Sequence, residues 1–149
     1  MIKRIQSDLK RSLMEKDILR VSTLRLLIAA IKNKEIELGK KKEGVPNDEI
    51  IAILRSEIKK RKDAAVGFRG GRREDDAVKE EKEMKILQEY LPEDISDYEI
   101  REVVKKAIKK SGASSAHDFG KAMKETMAIL KGKASGDKVA VILKEELGV

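Results

Sequence analysis

Arg55, Lys59 and Lys62 recur at intervals of four and three residues, a spacing that gathers three cations on one side of a helix, where they can hold phosphate oxygens. A few residues on, Gly70-Gly71-Arg72-Arg73 sets two arginines beside two glycines, a combination that lets a backbone come close to an anion. Further along, Lys121 and Lys124 share a helix face, while Lys131, Lys133 and Lys138 surround a glycine-containing turn. The chemistry within reach of these residues is recognition of a polyanion rather than bond making. No Walker-type lysine follows the glycines and no strand precedes them, which argues against nucleotide hydrolysis; a helix end with its turn is the simpler reading of Gly70-Gly71.

The 149 residues include no Cys and a single His, which excludes disulfides, thiolate metal sites and Cys nucleophiles and leaves His117 as the one imidazole. His117 falls where a helix begins, a place that disfavours its protonated form, and no nucleophile or acid is spaced to work with it. It reads as a surface residue, and no catalytic residue, metal ligand or cofactor is expected. Asp75 and Asp76 are consecutive and therefore point to different helix faces, a poor arrangement for chelation. Two Tyr and two Phe are too few for a stacking platform. Phe68 and Phe119 read as core and Tyr98 as an exposed residue, so any RNA contact must read phosphates and shape rather than unstacked bases. The longest apolar run, 26–31, is too short to cross a bilayer or to act as a secretory core, so no membrane partner and a cytoplasmic location are expected.

The net charge is +7, unevenly spread. Residues 74–99 hold eleven acids against Lys79, Lys82 and Lys85, about −8 locally, which leaves about +15 elsewhere. That asymmetry suits a polyanion-binding surface beside an acidic flank, and also a solvated shell laced with ion pairs.

The elements that must carry these charges are helices throughout. Ile2, Ile5, Leu9 and Leu13 step by three and four, and Asp17 is placed to cap a second helix over 18–38 with Ile18, Val21, Leu24, Ile28 and Ile31 inward. Asn47 can cap a third helix with Ile50, Ile51, Leu54 and Ile58 on one face, ending near Phe68 and the glycine pair. A fourth reaches Tyr90 with Ala77, Met84, Leu87 and Leu91 inward, and Pro92 stops it. Ser96 with Glu99 is a capping-box pattern that starts a fifth. A sixth over 116–131 turns Met123, Met127 and Leu130 inward, and Ser135 caps a seventh with Val139, Ile142, Leu143 and Leu147 inward. No segment alternates long enough to be a strand. The chain reads as all-α: an N-terminal four-helix lobe over 1–92 and a C-terminal three-helix lobe over 96–149, small enough to lean on the first, with a linker that permits reorientation. Within the third helix Arg61 falls on the apolar side, where it needs an acid. Glu80 is the predicted partner, with Glu83 or Glu81 as alternates, in a structural pair that fixes the register of helices three and four.

The blocks STLRLLIAAIKNKEIE, IKKRKDAAVGFRGGRREDDAVKEEKEMKILQEYLP, GASSAHDFGKAM and KGKASGDKVAVILKEEL occur in an order that resembles the YqeY family over nearly the whole chain. That family is similar to the tail domain of the B subunit of the tRNA-dependent amidotransferase, which transamidates mischarged Glu-tRNA or Asp-tRNA. The resemblance extends to Arg73 followed two residues later by Asp75. It implies that Asp118-Phe119-Gly120-Lys121 and Lys131-Gly132-Lys133-Ala134 belong to the lobe that meets the tRNA elbow. The chain departs from the family at Ser135, where Asp is common before the glycine; both residues cap helices, but a negative charge is lost. The resemblance also implies an association with carbon–nitrogen ligase activity using glutamine as amido-N-donor. The catalytic machinery of that enzyme lies outside the tail domain, so no chemistry is expected of this chain alone. The implied partners are tRNA or other structured RNA, and amidotransferase or aminoacyl-tRNA synthetase components. An alternative is a protein-interaction module that receives a partner on the acidic fourth helix and apolar seams. RNA binding would weaken steeply with salt and with loss of Arg55, Lys59 or Lys121, whereas an apolar protein contact would tolerate both.

Overall fold

The computed structural model describes residues 1–149 and contains seven α-helices: α1 (Ile2–Glu15), α2 (Ile18–Glu37), α3 (Asn47–Gly70), α4 (Glu74–Gln88), α5 (Asp97–Ser111), α6 (Phe119–Leu130) and α7 (Gly136–Leu147). A 3-10 turn over Ala116–Asp118 leads into α6. The helices form two compact units, Met1–Leu91 and Pro92–Val149.

In the first unit, α1 packs on α2 and α3 on α4, and α2 joins the two hairpins by touching α3 and α4. Ile5, Leu24, Leu27, Ile31, Ile50, Leu54, Leu87 and Tyr90 make its core. Helix starts follow local chemistry. The Asp17 carboxylate accepts from the Arg20 amide at 3.0 Å, satisfying one of the first-turn donors of α2. At α3 the cap residue is Pro46 and Asn47 is already helical, without a side-chain cap; the extended φ/ψ of Pro46 sets the entry instead.

The buried stripe of α2 differs from the expected one. Ile18 is 81% exposed, and Thr23 and Leu27 are buried in its stead. Five large aliphatics lie between positions 24 and 31 of this helix, on nearly all its faces, so periodicity has no single direction to report. Leu13, expected inward on α1, is likewise exposed, and buried Ser12 takes its place with its hydroxyl donating to the Asp8 carbonyl at 2.7 Å. Helix α4 ends at Gln88 rather than Tyr90, and Glu83 is more deeply buried than its neighbour Met84.

In the second unit, α5 contacts α6 and α7, which also contact each other, around Ile100, Val104, Ala122, Leu130, Val139 and Leu143. Ser96 and Glu99 close the reciprocal capping box at the start of α5. Ser135 is the cap residue of α7 but its side chain makes no cap bond; its amide instead donates to Asp94 at 3.4 Å. The Ile95 amide donates to the Lys133 carbonyl at 3.0 Å, which ties the α6–α7 turn to the segment entering α5. Arg101 clamps α5 to α7 by reaching both Glu145 and Glu146.

Candidate nucleic-acid interface

The α3 ridge has Arg55 half-buried and Lys59 and Lys62 exposed. Lys59 pairs with Asp63 at 2.8 Å, an exposed contact of one helical turn that is worth a few tenths of a kcal/mol.

Arg61, 7% exposed, does face inward, but its partners are Glu83 at 3.1 Å and Glu57 at 2.9 Å, not Glu80. Three residues, 71–73, separate α3 from α4, and this spacer carries the antiparallel register past Glu80 by nearly one turn. Burial alone would push the Glu57 carboxyl up; hydrogen bonds from Lys60 and Arg61 outweigh it and hold the group below the usual carboxylate range. The pair closes the side of the α3–α4 hairpin, so Arg61 is committed to the fold through Nε and Nη1.

The Gly70-Gly71-Arg72-Arg73 corner is a helix end. Gly71, Arg72 and Arg73 amides donate to the carbonyls of Gly67, Arg69 and Phe68 at 3.0, 3.1 and 2.8 Å, so these three amides are not free to cradle an anion. The left-handed position belongs to Arg72, at φ 59°, and not to either glycine. A side chain there costs about 1 kcal/mol, so Arg72→Gly is expected to raise thermal stability slightly while removing one exposed cation, as a melting curve would show. Arg73 lies over the Phe68 ring at 4.7 Å and donates to Asp76 at 2.7 Å. Arg69 is held by Glu74 and Glu81, whose carboxyls are kept below their ordinary range chiefly by its hydrogen bonds. The acidic start of α4 therefore neutralises much of this corner locally.

In the second unit Lys121 and Lys124 stand exposed on α6, and Lys131 and Lys133 on the turn that follows. Lys131 is left-handed at φ 47° and ends α6. Ten residues of helix place Lys121 and Lys131 about 15 Å apart along the axis, comparable to a few phosphates of a nucleic-acid strand. Lys138 is tied to Asp97 at 3.1 Å and is the most committed of the five. Asp118 sits one turn before Lys121. The Ser114 amide is the main reason its carboxyl stays below the usual range, opposed by burial and aided by Ser115 and by Lys121. His117 is exposed beside it.

A second charged cluster escapes sequence reading. Tyr90, 3% exposed, donates from its hydroxyl to Asp8 at 2.6 Å and accepts from Arg20 at 3.2 Å. Arg20 also pairs with Glu89 at 2.6 Å, and Arg4 lies over the Tyr90 ring at 4.9 Å. Burial, followed by the hydrogen bond to Asp8, pushes the Tyr90 hydroxyl above its ordinary range. The general signal is a tyrosine on an inward position, which when buried must find a partner for its OH. No three acidic or imidazole side chains are grouped to hold a metal ion. No helix is long and apolar enough to cross a membrane.

The chain is all-helical and forms two small units, with cations on the surface and its buried charges engaged in packing. The family model described as Yqey-like protein matches residues 2–147, and the chain belongs to the YqeY family. Among curated proteins it is similar to "Altered inheritance of mitochondria protein 41, mitochondrial" of Saccharomyces cerevisiae, at 30% identity over 97% of this chain and 66% of the relative. The protein of the same name from Vanderwaltozyma polyspora is 37% identical over 58% of this chain and 46% of its own length. That from Kluyveromyces lactis is 36% identical over 58% and 45%. The chain thus spans between about half and two thirds of the length of these relatives.

Proposed function

We propose that this protein is a non-catalytic module that docks on structured RNA of the tRNA class and serves glutamine-dependent tRNA transamidation or a neighbouring step of aminoacyl-tRNA handling. The observation that carries the reading is the set Lys121, Lys124, Lys131 and Lys133, exposed together along α6 and its following turn. Lysines of this kind bind phosphates as point charges and release counterions, giving affinity without sequence reading. The half-buried Phe68 and Phe119 and the lone exposed Tyr98 suit contact with a folded duplex surface better than with splayed bases. Arg55, Lys59, Lys62, Arg72 and Arg73 form the supporting set on the first unit. The catalytic work in this reading belongs to the amidotransferase or synthetase partner, in whichever compartment that partner operates.

The test is binding of the full chain to bulk tRNA and to duplex DNA of equal charge, by fluorescence anisotropy between about 50 and 200 mM salt. Preferential tRNA binding is expected, with the salt slope reduced by about 0.7–0.9 for each lysine–phosphate pairing that Lys121→Ala and Lys124→Ala remove. Equal binding to both polymers, or a slope that the substitutions leave unchanged, overturns the reading.

A further inference from the structure

Helix α2 covers the core with one side and leaves the other open. At about 100° per residue, Ile18, Ser22, Leu26, Ala29, Asn33 and Ile36 fall within one strip of the helix, and all six are exposed. Ile18, Leu26 and Ile36 are 81%, 57% and 62% exposed, a degree of apolar exposure on a single helix that marks an interaction surface rather than scattered surface residues.

One margin of the strip is basic. Arg25 and Lys32 lie along it, both exposed. They differ from the other cations of this helix, Arg20 and Lys34, which are occupied by Glu89 and by Glu37. Beside the same margin opens a groove of about 190 Å³, with Ile2, Gln6, Ile28 and Val45 on its walls and Lys32 at its lip. It is smaller than the range typical of free small-molecule sites, about 300–1,000 Å³, and suits one apolar side chain delivered by a docking segment. Glu35, one turn on from Lys32, also lines the groove but lies away from the strip.

The geometry points to a docking site for an amphipathic helix of another protein, its apolar stripe laid along Ile18, Leu26, Ala29 and Ile36 and its acidic flank against Arg25 and Lys32. A second copy of this chain laid antiparallel on the strip fits poorly. A two-fold axis across the strip brings equivalent margins together, so the Arg25 and Lys32 of both copies would meet like charge with like charge. A polyanion gains nothing from the apolar centre. From Ile18 to Ile36 the strip runs about 27 Å, enough for an incoming helix to place anchors at i, i+3, i+4 and i+7. This surface is independent of the RNA reading, whose leading lysines belong to the other unit.

The experiment uses the full chain and two synthetic helical peptides with the same leucine stripe, one flanked by Glu and the other by Lys, followed by anisotropy. The Glu-flanked peptide is expected to bind at least about tenfold tighter. Leu26→Glu should abolish that binding, and the pair Arg25→Glu and Lys32→Glu should reverse the preference, with circular dichroism unchanged because all three side chains are exposed. Equal affinity for the two peptides, or indifference to these substitutions, overturns the proposal. So does displacement of the peptide by tRNA, which would give the strip to a polyanion. Concentration-dependent self-association removed by Leu26→Glu would give it to a second copy and equally overturn the proposal.

Discussion

Arg61→Ala is expected to lower the stability of the first unit by about 3–5 kcal/mol, while Glu80→Ala changes it by less than about 0.5 kcal/mol. The asymmetry follows from geometry. Arg61 and Glu83 are both 7% exposed, so removing the guanidinium strands a buried carboxylate, with Glu57 near it. Glu80, half-buried on the adjacent turn, leaves no such charge stranded. The cost should also depend on pH. Glu57 is held below its ordinary range in the wild type, so its contribution is present above the unfolded-state value and is lost as the pH falls through the lower, folded value. Arg61→Ala has forfeited part of that contribution already, and the gap to wild type should narrow in acid. Urea unfolding by circular dichroism, with hydrogen exchange of the α3 and α4 amides, reads both effects. A cost below about 1 kcal/mol for Arg61→Ala would show that the pair does not hold the hairpin. Replacing Arg61 and Glu83 together by Met and Leu should recover most of the loss, since an apolar pair of similar volume needs no charge to be satisfied.

Tyr90→Ala is the second large effect, about 3–5 kcal/mol, because it opens a cavity where the ring is 3% exposed and leaves Asp8 and Arg20 without their shared hydroxyl. Tyr90→Phe keeps the ring and should cost only about 1 kcal/mol, since Asp8 retains Arg11 at 2.9 Å and Arg20 retains Glu89. If the two variants unfold at the same urea concentration, the hydroxyl network rather than the ring carries the site.

Sequence spacing alone makes the all-α class legible, and with it the capping box of Ser96 and Glu99, because each such signal is complete within a few residues. The same holds for Arg61 facing the neighbouring helix, since a helix wheel needs only its own residues. Which acid meets Arg61 is another matter. The answer depends on the three-residue spacer between α3 and α4, and an error of one turn there exchanges Glu80 for Glu83. Tyr90 and Asp8 are 82 residues apart, and no local pattern announces their hydrogen bond. Helix α2 is hard to read for the opposite reason: aliphatic residues on nearly every face give periodicity nothing to choose between, so the open strip with Ile18 and Ile36 hides among residues that look alike. The candidate phosphate-binding lysines are legible as types and positions, whereas the neutralisation of Lys138 by Asp97 requires the fold.

The helices pair largely with their neighbours in sequence: α1 with α2, α3 with α4, and α5 with α6 and then α7. During synthesis each hairpin can therefore assemble as soon as its second helix clears the ribosome, with little loop-closure entropy to overcome. The open strip of α2 is complete when residue 36 emerges, well before α3 and α4 arrive to close the first core. A chain built in this order passes through an interval in which α2 shows apolar surface on both sides, and during that interval a partner helix on the strip would shield nascent chains from one another as well as bind the finished protein.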